Sequence, residues 1–168
     1  MTSRLLVDKI EGKTTSGTIQ MPAGMITQIV QEQSSARYTT TSTSYADIGL
    51  SASITPKFST SKVLILCAIA CEVRGGNQYY VSGRAKIQRG STDVFTSEML
   101  GADRATINSG SSASSANHFL QHLDSPSTTS ATTYKVQGLS TASGYTVNFC
   151  GDYANHSIST ITLMEVSQ

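Results

Sequence analysis

Residues Lys62–Val73, KVLILCAIACEV, form the longest apolar run in the chain, and from Val63 onward only Glu72 interrupts it. Periodicity alone does not separate a buried helix from a buried strand in a run of this length. Four of the twelve residues are β-branched, which favours a pleated strand. Ser59–Ser61 precede the run and Gly75–Gly76 follow it, as turns flank a strand. The sequence therefore predicts a buried β-strand.

Both faces of this predicted strand are apolar, whereas a strand with one face in solvent alternates apolar and polar residues. We expect the first face to enter the core of a sandwich; it consists of Val63, Ile65, Cys67, Ile69, Cys71 and Val73. The second face must be covered by the chain's own N-terminal segment or by a neighbouring subunit. We predict a subunit interface at its apolar residues, which are Leu64, Leu66, Ala68 and Ala70.

Short strand-like segments separated by turn residues fill the rest of the chain beyond Met25. They lie at 25–31, 37–42, 47–54, 79–88, 92–96, 117–123, 131–138, 145–150 and 158–166. Residues 101–116, which end in SGSSASSA, are expected to form a long surface loop. No segment has the apolar stripe of an amphipathic helix. The sequence predicts an all-β fold, an antiparallel, jelly-roll-like β-sandwich of eight to ten strands.

Residues 1–24 differ from the rest, because their apolar side chains flank a polar centre, EGKTTSG, and are too few to make a core. We predict an extended N-terminal arm at 1–24 that docks on another surface, followed by the sandwich domain at 25–168. A flexible leader is the alternative. The candidate anchors of the arm are Leu5, Val7, Ile10, Ile19 and Met21.

The charge of the chain is nearly balanced, with 12 Lys and Arg against 11 Asp and Glu. Such a balance gives no electrostatic footprint for nucleic acid or for an anionic membrane, and we expect neither as a partner. Charged residues make up only 14% of the chain, below the roughly 25% of an ordinary soluble domain. The apolar run at 62–73 is too short to span a bilayer, and residues 1–10 lack the apolar core of a signal peptide.

Cysteine and histidine spacing does not indicate a metal site. Cys67 and Cys71 would lie about 13 Å apart along one strand, so we expect them and Cys150 to be reduced core residues. His118 and His122 would share a face of a strand at a similar separation, beyond the reach of one metal ion. We predict no metal and no cofactor.

Catalytic motifs are also missing from the sequence. There is no G-x-S-x-G nucleophile elbow, and the carboxylates are scattered without a recognisable pair. The segment Gly12-Lys13-Thr14 has Val7 where a phosphate-binding loop requires its first glycine. We therefore predict a protein that is not an enzyme.

Several segments together resemble small structural proteins of marine tailed bacteriophages. They include LVDKI at 6–10, GTIQMPAG at 17–24, IGLSASITP at 48–56, RGS at 89–91, LDSP at 123–126, TTSATTYKVQ at 128–137 and STITLME at 159–165. Such proteins are described as virion structural, tail-fibre-like or head-decoration proteins. The resemblance implies a β-sandwich subunit, often trimeric, that is displayed on a particle assembled in the bacterial host cytoplasm.

Two functional hypotheses follow. The first is a homo-oligomeric virion subunit, a head-decoration or tail-associated protein that binds copies of itself and other capsid or tail proteins. The second is a receptor- or glycan-binding tail-fibre tip, with loops 101–116 and 151–157 as the contact surface. Tyr153 lies in the second loop and has an amphipathic ring suited to stacking on a sugar.

Overall fold

The computed structural model describes residues 21–74, 81–97, 113–151 and 157–168, and within these ranges it contains ten β-strands and no helix. The strands are β1 (Ile26–Ser34), β2 (Tyr38–Thr40), β3 (Ala46–Ile54), β4 (Lys62–Arg74), β5 (Gly83–Arg89), β6 (Thr92–Thr96), β7 (Ala113–Asp124), β8 (Thr132–Ser140), β9 (Thr146–Phe149) and β10 (Ser159–Val166). They form two antiparallel sheets. The predicted all-β sandwich is confirmed.

Strand β4 is the centre of the larger, six-stranded sheet. Along one edge it pairs with β7 without interruption, from Val63 opposite Asp124 to Arg74 opposite Ala113. Along its other edge β10 pairs with the first part of β4 and β9 pairs with the last part. Strand β1 extends the sheet beyond β10, and β2 extends it beyond β9. The apolar run of the sequence is therefore the strand on which this sheet is built.

The inward face of β4 forms the middle of the core, as predicted. All six of its side chains are at most 2% exposed: Val63, Ile65, Cys67, Ile69, Cys71 and Val73. The second sheet, in the order β3-β8-β5-β6, closes the core from the other side with Ile48, Leu50, Tyr134, Val136 and Ile87. Removing these side chains from water is the main source of stability in a fold without helices.

A glycine sets the distance between the sheets at one point. A Cβ atom on Gly138 of β8 would lie 2.6 and 2.7 Å from two ring carbons of Phe149. Real Cβ atoms do not approach so closely, so only glycine leaves room for the buried ring. This close approach brings β8 against β9.

The largest differences between the observed and the predicted strand boundaries lie at the starts of β7 and β5. Strand β7 begins at Ala113, four residues before the predicted start at Asn117, so the end of the predicted 101–116 loop is a strand. Serine and alanine carry little pattern of their own, and pairing with the long β4 extends the strand. Strand β5 begins at Gly83 rather than at residue 79, and residues 79–80 lie outside the described ranges.

The first described residues are attached to the C-terminal end of the chain. The Gly24 N–H donates to the Ser167 carbonyl at 2.8 Å, and the Ser167 hydroxyl donates to the Pro22 carbonyl at 2.5 Å. The Ser167 N–H in turn donates to the Met25 carbonyl at 2.9 Å. Residues 22–25 are thereby fixed at the end of the six-stranded sheet where β1 begins and β10 ends.

Candidate functional site

The outward face of the six-stranded sheet carries the predicted interface residues. Strand register places them in three cross-strand rows, each contributed by β1, β10, β4 and β7 in that order. The rows are Ile29-Met164-Leu64-Leu123, Gln31-Thr162-Leu66-Gln121 and Gln33-Thr160-Ala68-Phe119. None of these twelve side chains is charged. We call this surface the outer face.

The outer face keeps large apolar side chains in solvent. Phe119 is 80% exposed, Ile29 59% and Leu123 48%. Leu64 and Leu66, between them, are half-buried because the neighbouring strands cover their flanks. Exposed apolar residues scattered singly are ordinary, but a contiguous group of them commonly marks an interaction surface.

Ala70, the fourth predicted interface residue, lies differently. It is 5% exposed, so the chain itself already covers it. Leu64, Leu66 and Ala68 remain accessible, and the sequence did not identify Phe119, Leu123 and Ile29 as members of the same surface.

The orientation of β7 explains why the sequence could not identify Phe119. The alternate residues of this strand give one face with Phe119 and Leu123 and another with His118, Leu120 and His122. Hydrophobicity favours burying the first face, yet Phe119 points outward and Leu120 is only 6% exposed. Register with β4 decides, because Leu120 lies opposite the inward-facing Cys67. A one-residue shift in register would exchange the two faces of β7.

A groove runs across the outer face beside Phe119. Its volume is about 450 Å³, and its floor includes Leu66 and Ala68 of β4, with Thr160 and Thr162 of β10 on one side and Gln121 of β7 on the other. The small side chain of Ala68 makes the depression next to the projecting Phe119 ring. A projecting aromatic ring and a recess therefore occur on the same surface.

The predicted anchors of the N-terminal arm are mostly outside the described residues. This applies to Leu5, Val7, Ile10 and Ile19, whereas Met21 is described and half-buried. Of the loops expected to contact a receptor, only residues 113–116, 151 and 157 are described, and Tyr153 is not among them.

A buried polar cluster joins the two sheets near the end of β7. The Asp124 carboxylate accepts hydrogen bonds from the Tyr134 hydroxyl and from the Arg89 guanidinium, both at 2.7 Å. Tyr134 is fully buried and Asp124 is 8% exposed. Burial, then the hydrogen bond to Asp124, raises the pKa of Tyr134. The phenol therefore stays protonated, and the cluster holds β7 against β5 and β8.

A second buried carboxylate, Glu165 of β10, fixes the segment between β3 and β4. It is fully buried and accepts hydrogen bonds from the Gln28 amide at 2.6 Å and from the Lys57 backbone N–H at 2.8 Å. Burial raises the pKa of Glu165, but its hydrogen bonds outweigh burial and the net pKa lies below the ordinary value. These bonds serve the fold, since every partner belongs to the same domain.

A small cavity of about 140 Å³ lies at the other end of β4. Its lining includes Glu72, Asn117 and Ser115. Glu72 is 4% exposed and accepts hydrogen bonds from Asn148 at 2.7 Å and from Arg74 at 3.0 Å. The carboxylate is thus engaged by two side chains, which suits a structural role for it.

The cysteines and histidines lie where the strand geometry predicted. Cys67, Cys71 and Cys150 are buried free thiols, and burial raises the pKa of Cys67 and of Cys71 to about 12. His118 and His122 share the inward side of β7, and His122 packs against the Phe95 ring of β6 at 5.9 Å between centroids. Among the described residues, no group of three His, Cys, Asp or Glu side chains is placed to hold a metal ion. Nor do those residues include a helix long and apolar enough to cross a membrane.

Comparison with known proteins finds similar solved structures but no matching family. No family model and no curated protein matches the chain. The chain is similar in fold to one in a structure of infectious bursal disease virus Gx strain, with 13% identity, a TM-score of 0.39, and coverage of 100% of this chain and 41% of that one. The corresponding values are 11%, 0.41, 100% and 43% for the Gt strain, and 11%, 0.37, 100% and 42% for the VP2 subviral particle of this virus.

The chain therefore spans about two fifths of the length of these solved chains. At such identities and TM-scores the likeness does not establish a common family or a common function.

Proposed function

We propose that the chain is a non-enzymatic structural subunit of a virus particle, which assembles with copies of itself through the outer face. The observation that carries this proposal is the uncharged outer face with Phe119 80% exposed at its border. A second copy of the same chain is a suitable partner, because two neutral faces meet without leaving a charge unpaired.

The size of the outer face agrees with an interface centre. Four strands about 4.8 Å apart and five residues of about 3.3 Å each give a surface of roughly 300 Å². A specific interface buries about 800 Å² on each partner, with an apolar centre and a polar rim. The outer face would form that centre. Lys62 lies one row beyond the outer face on β4, as expected of a polar rim.

The sequence resemblance supports the finer proposals. These are a head-decoration or tail-associated subunit of a tailed bacteriophage, a trimer, and assembly of the virion in the host cytoplasm. The arm at 1–24 would tether the subunit to another capsid or tail protein through Leu5, Val7, Ile10, Ile19 and Met21. Residues 22–24 already contact the C-terminal end of the domain, so the tether would start from a fixed point.

Light scattering on matched variants tests the self-assembly proposal. Leu66→Glu places a charge at the centre of the outer face, and Ser51→Glu places the same charge on the exposed side of β3 opposite Lys135. We expect the wild type and Ser51→Glu to be oligomers and Leu66→Glu to be a folded monomer. A monomeric wild type, or dissociation by both substitutions alike, would contradict the proposal.

Deletion of residues 1–20 tests the tether, because it keeps the contacts of Pro22 and Gly24 with Ser167. We expect the shortened chain to keep its fold and its oligomeric mass but to be missing from particles purified from infected host cells. Normal incorporation of the shortened chain would contradict the tether role of the arm, but it would not contradict the proposed role of the outer face.

A further inference from the structure

The free edge of β7 is a second surface on the described part of the chain, distinct from the outer face. Among the described strands, β7 pairs with β4 alone, through twelve consecutive residue pairs without a register shift. Its backbone is therefore regular along the whole length of the strand. Within the described ranges no strand pairs with its other edge, which presents a row of backbone donors and acceptors.

The other edge strands carry features that discourage pairing with another chain. Strand β1 has a register shift between Ile26 and Gln28, and β3 has one between Asp47 and Leu50, where Gly49 adopts a φ of 79°. Strands β2 and β6 are only three and five residues long. Short or bulged edges are the usual protection against edge-to-edge association.

Strand β7 has none of this protection. It is twelve residues long, and from Ala113 to Leu123 it contains no Pro, Lys, Arg, Asp or Glu. Two of its outward side chains, Phe119 and Leu123, are large, apolar and exposed. A long, regular, uncharged edge is what a strand from another chain needs in order to extend a sheet.

We propose that two copies of the chain pair through the free edges of their β7 strands, antiparallel and about a two-fold axis at Gln121. This inference rests on the proposal that the chain assembles with itself, and it adds a second contact, at the edge of the sheet. The pairing would join two six-stranded sheets into one continuous sheet of twelve strands, and it would place the two outer faces side by side.

Side-chain chemistry selects this register. With Gln121 opposite its own copy, residues 118–124 of the two strands pair, and Phe119 of each chain faces Leu123 of the other. A shift of the axis to Leu120 would set Phe119 opposite Gln121. A shift to Phe119 would pair Phe119 with its own copy but would set both Leu123 side chains opposite Ser115. Directly opposite residues on one face lie about 4.5–5.5 Å apart, so of these registers only the axis at Gln121 gives both Phe119 and Leu123 an apolar partner.

Cysteine cross-linking of the full chain tests the register. In Gln121→Cys the two introduced thiols would lie opposite each other at the axis, within the range that a disulfide bridges. In Asn117→Cys, on the same face of the same strand, the two thiols would lie about 26 Å apart. The native cysteines are buried, so they do not compete. We expect mild oxidation to give a covalent dimer of Gln121→Cys and none of Asn117→Cys.

Equal cross-linking of the two variants, or none of either, would overturn the β7 pairing. Its failure is separable from failure of the proposed function, because Leu66→Glu reports on the outer face alone. A wild-type trimer that Leu66→Glu dissociates, with no Gln121→Cys dimer, would retain the subunit role and reject the edge contact. Since the edge contact is two-fold, it cannot by itself build the proposed trimer, and it would join subunits of different trimers, as in a closed hexamer.

Discussion

The two faces of β4 belong to one strand and have nearly the same hydrophobic content, yet the protein treats them differently. The inward face is at most 2% exposed and packs against the second sheet. On the outward face Leu64, Leu66 and Ala68 are half-buried, flanked by neutral residues of β10 and β7. The two faces of one apolar strand can therefore have different roles: the inward face stabilises the fold, and the outward face is available for association.

Substitutions on the inward face of β4 should have the largest effect on the free energy of unfolding, and they test whether the two faces differ. Ile65→Ala should lower the free energy of unfolding by about 2–5 kcal/mol, because it removes buried methyl groups and leaves a cavity. Leu66→Ala, one residue away on the half-buried side, should cost about 1 kcal/mol. Chemical denaturation of both variants measures the contrast. Equal losses would mean that the two faces are not distinct.

Glu165 of β10 is a charged residue on the inward side of the six-stranded sheet, so it tests how much a polar group contributes to the stability of that side. Glu165→Gln should lower the free energy of unfolding by about 2–3 kcal/mol at pH 7. Gln28 and Lys57 donate to different oxygens of the carboxylate, and glutamine replaces one of those oxygens with an NH2 donor.

The pH dependence of the free energy of unfolding tests whether the ionised Glu165 carboxylate is the source of this stability. The folded-state pKa of Glu165 is below its ordinary value of 4.5, so its contribution is present above about pH 4.5 and is lost as the pH falls through the folded value. Denaturation between pH 7 and pH 3 should show a steeper acid loss for the wild type than for the variant. Parallel curves would assign the acid loss to other carboxylates.

Tyr134→Phe tests the buried cluster that ties β7 to the second sheet. We expect a loss of about 1–2 kcal/mol, because the Asp124 carboxylate loses one donor but keeps Arg89. Hydrogen exchange of β7 amides should quicken more than exchange in β3. An even change across both sheets would mean that the cluster stabilises the whole fold rather than β7.

The smallest effect on folding belongs to the outer face. Phe119→Ser should change the free energy of unfolding by no more than about 0.5 kcal/mol, because the ring is 80% exposed. Its effect should appear instead in the oligomeric mass, read by light scattering at several protein concentrations. A large loss of stability with an unchanged oligomeric mass would mean that Phe119 stabilises the fold and does not belong to an interface.

Much of the fold could be predicted from the sequence, because alternation and turn residues are local signals. The central strand, the inward face of β4 and all ten strands were predicted, and Thr92–Thr96 was placed at its observed bounds. The orientation of β7 could not be predicted from the sequence. Both of its faces mix apolar and polar residues, and only pairing with β4 determines which face points inward.

Only the part of the candidate site that depends on local sequence pattern could be predicted. Leu64, Leu66 and Ala68 follow from the period of two in their own strand. Phe119 and Ile29 join them only through the register of β7, β4, β10 and β1, which depends on residues far apart in the chain. The buried bonds of Glu165 and Asp124 are likewise products of long-range register and carry no local sequence signal.

The three buried thiols have a consequence for measuring how the sandwich opens. Burial raises the pKa of Cys67 and of Cys71 to about 12, so neither thiol is appreciably ionised at pH 7, and burial also shields both from reagents. Alkylation in native buffer must therefore wait for the sheets to separate. With a reagent that reacts faster than the sheets close again, the rate of its consumption is the opening rate. Two of the reporting thiols lie in β4, and Cys150 lies beside that strand.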